Sequence, residues 1–343
     1  MRILTDPKAY SPRADRPLIL GLGNFDGLHV GHQKLLEHVV TQARMEKGAA
    51  AVMTFQSHPH HVLHPKEVPE LLMSAEHRQL YLEELGIDLC FWLPFTTEFS
   101  KIRAVAFVEE LLVRRLQVRE VCMGYNAHFG YGREGDCALV RYMAERFKFK
   151  FEEVAPVKAA GDFVSSSRIR KLVREGKLDE TAECLGRPFS VLARIGKGRG
   201  VGTKLGYPTA NLELASDILP PVGIYSVMVR TLDYAYEALS GETDRSLKIR
   251  SKGPWLQGVM SYGYRPTFEK EGLSSDHPVP EIHILDFKGD LYGKTLECAF
   301  YTRLRPEMKF DNAETLKTQI RKDVELTRRY FGGLPKKSFT NVA

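Results

Sequence analysis

The sequence predicts two folded parts in series. The first is an α/β domain with a parallel sheet and helices on both faces. The second is a small antiparallel β-barrel followed by a C-terminal helix. Three observations predict this. A chain of 343 residues suits about two domains at roughly 150 residues each. Its first half alternates short apolar runs with helix-spaced segments, the rhythm of a parallel sheet. From Gly186-Arg187-Pro188 onward the chain changes to short β-rich pieces separated by Gly and Pro. The domains are accordingly set at 1–186 and 187–343.

The elements follow in order. Residues 17–23 (PLILGLG) are an apolar run ending in glycines, as in a buried strand. Residues 32–47 place Leu35, Leu36, Val39, Val40 and Ala43 at helical spacing. Residues 49–55 (AAAVMTF) are a second buried strand. Residues 76–85 read as a helix that Gly86 can terminate in the left-handed conformation. Residues 87–93 form a strand, 105–116 an amphipathic helix, 120–123 a strand before Gly124, and 138–146 a helix. In the second half, strands are expected at 189–195, 223–229, 256–260, 281–287 and 295–304, and a helix at 312–330. Residues 231–253 and 270–280 read as surface loops.

Composition excludes several classes. With 43% hydrophobic and 27% charged residues the chain is neither disordered nor collagen-like. No stretch approaches the roughly 18 apolar residues of a membrane span. Residues 1–17 mix Arg, Asp, Lys and Pro and have no signal-peptide core, so a cytoplasmic location is expected. The cysteines, Cys90, Cys122, Cys137, Cys184 and Cys298, are odd in number, and no two are spaced C-x-x-C. That spacing argues for reduced thiols over a disulfide framework or a zinc site. The net charge is +6, and all of the excess lies after residue 186. An excess this mild suits phosphate-bearing small ligands rather than nucleic acid. The sequence leaves self-association open.

Two segments carry chemistry in the first half. Residues 23–32 (GNFDGLHVGH) run from the first strand into a helix. A glycine-rich strand-to-helix turn aims backbone N–H groups and a positive helix end at an anion. His29 and His32 can sit beside one phosphate and stabilise charge developing on phosphorus. Residues 165–170 (SSSRIR) place hydroxyls and guanidinium groups at a helix start, suited to phosphate oxygens. Read alone, they also fit an ordinary serine cap with solvated arginines. The tract 58–64 (HPHHVLH) lacks a carboxylate or cysteine partner at ligand spacing and reads as a histidine-rich loop near a nucleotide. Lys317, Arg321, Lys322, Arg328 and Arg329 read as the solvated face of the last helix.

These residues resemble the adenylyltransferase module of prokaryotic bifunctional riboflavin kinase/FAD synthetases. The resemblance rests on 23–32, on T-F-x-x-H-P at 54–59, on G-Y-N-x-x-F-G at 124–130 and on S-S-x-R-I-R at 165–170. It implies a Rossmann-like nucleotidyltransferase domain. His29 and His32 would act on the α-phosphate of ATP, and Gly23, Asn24, Phe25 and Asp26 would line the nucleotide pocket. Asn126 would lie in the joint site, and Ser166, Ser167 and Arg170 would hold the phosphates. The sequence departs from the family's usual residues at Ser167 (Thr), at Gln56-Ser57 (Glu-Pro) and at Ala127 (often Phe).

The second half carries G-K-G-R-G at 196–200, L-G-Y-P-T-A-N-L at 205–212 and E-I-H-I-L-D-F at 281–287. Glycines among basic residues suit a phosphate-wrapping loop. The Thr209 hydroxyl and Asn211 carbonyl are hard oxygens suited to Mg²⁺. On a strand, Glu281, His283 and Leu285 would share a face. As isolated text, a Gly-rich hairpin and a solvated edge-strand Glu also fit. Together with 219–225, 265–268 and 303–310, these segments resemble the riboflavin kinase domain of the same enzymes. The resemblance implies that Glu281 activates the ribityl hydroxyl. It further implies that Gly196, Lys197, Gly198, Arg199, Gly206, Pro208, Thr209, Asn211 and Arg305 contact ATP or flavin. The expected activity is phosphorylation of riboflavin to FMN, then adenylylation of FMN to FAD, with Mg²⁺ as cofactor and ATP as co-substrate. A kinase with an altered N-terminal half, or a non-catalytic flavin- or nucleic-acid-binding regulator, stay open at this stage.

Overall fold

The computed structural model describes residues 1–196, 206–216, 218–239, 244–264 and 278–333. Lys197, Gly198 and Arg199, the segment 265–268 and most of the loop expected at 270–280 lie outside them. The chain forms two compact units. One comprises Met1–Ser166 with Tyr234–Lys248, and the other Ser167–Asp233 with Ile249–Ala343.

The first unit begins with β1 (Arg2–Leu4), β2 (Leu18–Leu22), α1 (Val30–Met45) and β3 (Ala49–Phe55). It continues with α2 (His60–Leu63), α3 (Ala75–Glu84), β4 (Leu89–Leu93), α4 (Thr97–Ser100) and α5 (Ala104–Ala106). α5 runs into a wider helical stretch, Phe107–Arg115. Then come β5 (Val118–Gly124), α6 (Cys137–Phe147), β6 (Lys150–Val154) and a short hairpin of β7 (Lys158–Ala159) and β8 (Asp162–Phe163). Strands β1, β4, β3, β2, β5 and β6 lie parallel in that order. Every residue of β2 and β4 is buried, because helices cover both sheet faces. That is why they read as continuous apolar runs.

The second unit holds α7 (Ser166–Arg174), apart from its first residue, and α8 (Leu178–Leu185). Its strands are β9 (Phe189–Gly196), β10 (Ala210–Leu214), the first part of β11 (Gly223–Ala238), the last part of β12 (Asp244–Lys252), β13 (Leu256–Gly263), β14 (Val279–Ile284) and β15 (Thr295–Arg305). Six of these, β13, β14, β10, β9, β15 and β11, pair in that order, and a β11–β13 pairing closes the barrel. Tyr225, Phe189 and Phe300 fill its interior. The C-terminal helix α9 (Ala313–Gly333) starts at Asn312, whose side chain accepts from the Thr315 N–H at 2.9 Å. α9 packs Phe331 on Met228 and Ala299. Its cations Lys317, Arg321, Lys322, Arg328 and Arg329 are exposed, and Arg328 pairs with Asp286.

Two sequence expectations are corrected. Residues 231–253 are not a surface loop: most of them belong to the long strands β11 and β12. The distal segment Tyr234–Lys248 belongs to the first unit, where β12 runs antiparallel to β1. Strand β14 ends at Ile284 rather than continuing to 287, and Leu285 is buried while Glu281 and His283 are half-exposed. Leu285 therefore leaves the face that Glu281 and His283 share.

Candidate active sites

In the first unit the strand order reverses at β2, with β3 and β4 on one side and β5 and β6 on the other. Ligands of open parallel sheets bind outside the carboxyl ends of the strands at such a switch point. A cavity of about 780 Å³ opens there. Gly23, Asn24, His29 and His32 line it from the turn after β2, Asn126 and Ala127 from the segment after β5, and Ser165 and Ser166 from the chain entering α7. Phe55, Phe95, Phe99, Phe107 and Phe129 supply an aromatic wall beside Ala127, and His58, His60 and His64 line the same cavity.

The turn is conformationally unusual. Phe25, Gly27 and Leu28 all have positive φ, at 52°, 79° and 43°. For the two non-glycine residues this costs on the order of 1 kcal/mol each. Both are fully buried, so packing enforces the geometry. At Gly27 an added Cβ would lie 2.7 Å from the Leu72 side chain. Gly31 lets the His29 ring lie close, since a Cβ there would sit 3.2 Å from it.

His29 caps α1: its Nδ1 accepts from the His32 N–H at 3.3 Å. The two rings stack with centroids 3.7 Å apart and planes 13° from parallel. Phe25 sits edge-on to His32 at 5.3 Å. Burial, then the neighbouring His29 and Arg78, hold His32 well below the usual imidazole value. His32 is therefore neutral at pH 7. Its Nδ1 is buried with no hydrogen-bond partner among the described residues. A ring nitrogen left unpaired at a cavity wall is a ready partner for a phosphate oxygen or its proton.

Phe25 and Asp26 stand behind the wall rather than on it. The buried Asp26 carboxylate accepts from the Leu72 N–H at 3.0 and 3.3 Å. The Ser166 hydroxyl donates to the Asp26 carbonyl at 2.9 Å. Ser167 and Arg170 follow on α7, the first exposed and the second buried.

The sequence did not point to Arg78. It lies on α3, 6% exposed, with its guanidinium 4.3 Å from the Trp92 ring. It donates to the carbonyls of Asn24 and Phe55, both at 2.7 Å.

In the second unit the β10–β14 ladder sets Asn211 directly across from Glu281. Across the β9–β10 ladder, Asn211 also faces Gly196. The Thr209 hydroxyl donates to the Glu281 carboxylate at 3.5 Å, a weak bond. The Pro208 carbonyl lies 2.8 Å from Nδ1 of His283, whose ring meets Tyr207 edge-on. Gly206, φ +86°, makes the turn into this segment. Thr209, Asn211 and Glu281 are thus brought together from opposite ends of the sequence motif set. Arg305 is placed otherwise. Its guanidinium is bidentate to Asp323 of α9, at 2.8–3.2 Å, and a third N–H donates to the Pro306 carbonyl.

Comparison with known proteins shows the family of the chain. Residues 11–168 match the family model of FAD synthetase, and residues 185–331 that of riboflavin kinase. A bifunctional riboflavin kinase/FMN adenylyltransferase of Listeria monocytogenes is 33% identical, covering 92% of this chain and 93% of its own. The enzyme of the same name from Escherichia coli K12 is 31% identical over 98% of this chain and 99% of its own. The chain belongs to this family. It is a bifunctional enzyme that phosphorylates riboflavin to FMN with ATP, then adenylylates FMN to FAD with release of pyrophosphate. The bifunctional fold also superimposes on the solved structure of a protein described as a macrolide-efflux protein from Streptococcus pneumoniae. That match has a TM-score of 0.76 at 26% identity and covers 95% of this chain and 98% of the other. Among the described residues of this enzyme no helix is long and apolar enough to cross a membrane.

Proposed function

We propose that residues 1–186 carry the adenylyl transfer and residues 187–343 the riboflavin phosphorylation. The observation that supports this most is the stacked His29–His32 pair on the wall of the cavity that Asn126 and Ser166 also line. In the first reaction a phosphate oxygen of FMN attacks the α-phosphorus of ATP. The new P–O bond forms as the bond to pyrophosphate breaks. His29 and His32 hydrogen-bond the α-phosphate oxygens, where charge grows in the transition state. The backbone N–H groups after β2 face the same anion. Asn126 orients the reacting phosphates, and Ser166, Ser167 and Arg170 hold the β- and γ-phosphates of the leaving group. His29 and Arg170 are buried, so their hydrogen bonds to the phosphates count for more than in bulk solvent.

In the second unit Glu281 takes the proton of the ribityl 5′-hydroxyl as its oxygen attacks the γ-phosphorus of ATP and ADP departs. Positioning and charge neutralisation supply most of such a reaction. The hydroxyl of Thr209 and the amide oxygen of Asn211 are hard oxygens set beside the Glu281 carboxylate, and this donor pair fits Mg²⁺. Held there, the ion would supply positive charge that offsets the charge of the ATP phosphates. Among the described residues no three His, Cys, Asp or Glu side chains form a metal cage, and Mg²⁺ held largely by nucleotide phosphates needs none. All five cysteines are buried thiols outside any disulfide, which suits the reducing cytoplasm.

The test is a time course of flavins with riboflavin, ATP and Mg²⁺. FMN rises first and FAD follows. His29→Ala stops the series at FMN, whereas Glu281→Ala stops FMN formation yet converts supplied FMN to FAD. Loss of both activities in either folded variant would refute the division.

A further inference from the structure

Arg78 is the most deeply placed cation near the adenylyl-transfer cavity. It projects from α3, where Ser74 caps the helix by accepting from the His77 N–H. Six consecutive residues, His77 to Leu82, are buried, so this helix has no solvated face at that turn. A buried guanidinium ordinarily has a carboxylate bonded to it. Arg78 instead donates to two main-chain carbonyls, Asn24 in the strained turn after β2 and Phe55 at the end of β3. Asn24 and Phe55 both line the cavity. The Trp92 ring covers the guanidinium, and Nε has no partner among the described residues. The Thr54 hydroxyl donates to the same Asn24 carbonyl at 3.1 Å, so that carbonyl is held twice.

We propose that Arg78 is a positioning residue of adenylyl transfer: its two-pronged guanidinium fixes the Asn24 turn against β3 and so sets where His29 and His32 meet the α-phosphate. This rests on the reading of the cavity as the adenylyl-transfer site. The fork geometry is needed because two carbonyls must be reached at once, which a lysine cannot do. The positive charge has a second effect. The titratable or charged groups facing His32 are His29 from the turn and Arg78 from α3, and both disfavour its protonation. Burial pushes Arg78 itself down to about 10, partly offset by the Asp26 carboxylate, so it stays charged at neutral pH.

The test uses the full chain carrying Arg78→Lys or Arg78→Gln, with both activities measured on the same preparation. In Arg78→Lys, kcat for FMN adenylylation falls about tenfold to a hundredfold, as for a displaced catalytic group. Riboflavin phosphorylation stays at the wild-type rate. In Arg78→Gln the acid limb of FAD formation against pH moves upward, because a charge opposing His32 protonation is gone. A merely structural residue would not move that limb. Wild-type FAD formation and pH profile in both variants would overturn the proposal. So would parallel loss of both activities in both variants, which would make Arg78 a general folding residue. Failure of the underlying site reading would show differently, as FAD formation persisting in His29→Ala.

Discussion

The His32 backbone N–H donates to Nδ1 of His29, so the first histidine of the pair caps the helix that carries the second. Structure and chemistry are therefore mixed in one imidazole. His29→Asn separates them, since asparagine is a strong capping acceptor but no imidazole. The expected variant melts close to the wild type and phosphorylates riboflavin normally. Its FAD formation falls about a hundredfold or more, the scale for losing one oxyanion-type contact. FAD formation at the wild-type rate would leave His29 only its capping role.

Protonation of His32 gives a sign that can be checked. Its folded-state pKa lies below the ordinary value, chiefly through burial. Between the unfolded value, about 6.5, and the lower folded one, the unfolded chain binds the extra proton. Stability of the first unit is therefore full above about pH 6.5 and declines as pH falls below it. Thermal melting at pH 7.5 and 5.5 should show a larger drop for the wild type than for His32→Gln. Equal drops would mean that His32 titrates alike in both states.

In the second unit the Thr209 hydroxyl donates to the Glu281 carboxylate. Thr209→Val removes one hard oxygen and keeps the side-chain shape. The Mg²⁺ concentration for half-maximal riboflavin phosphorylation should rise about tenfold or more, the usual scale for disturbing a metal site. FMN adenylylation in the same sample serves as the control and should not change. An unaltered Mg²⁺ dependence would remove Thr209 from the metal's surroundings.

What the sequence made legible follows from physics. Strands β2, β3 and β4 are buried on both faces, so their apolar runs announce them. α1 shows its spacing because Leu35, Leu36, Val39, Val40 and Ala43 form one buried stripe. β6 (KFEEV) escaped because most of its side chains are exposed, and β1 because it has three residues. Arg78 escaped for a different reason. A lone arginine in a helix usually marks the solvated face, and the signal against that was its setting in the buried run from His77 to Leu82. Arg305 matched a family motif, yet its partner Asp323 lies on another element and no local pattern foretold the pair.

The hairpin arm read as a loop yields the last prediction. Its polar sequence hides a strand whose partner lies more than two hundred residues away, a pairing that local patterning does not encode. β12 covers the free edge of β1, and there the Arg2 guanidinium is bidentate to Asp244 at 2.9 and 2.7 Å. Leu247 donates to the Met1 carbonyl at 2.9 Å, and the Tyr236 hydroxyl donates to Gln79 of α3 at 2.7 Å. Asp244 is 2% exposed, so Asp244→Ala leaves Arg2 without its partner. Because Arg2 is itself partly solvated, the expected cost is on the order of 2 kcal/mol, below that of a fully buried pair. A fragment ending at residue 186 lacks this arm altogether and exposes the β1 edge. It should melt lower than the first unit does in the full chain and self-associate through that edge. Hydrogen exchange of the Arg2–Leu4 amides reads the effect directly. Protection in the fragment equal to that in the full chain would show that the arm is dispensable.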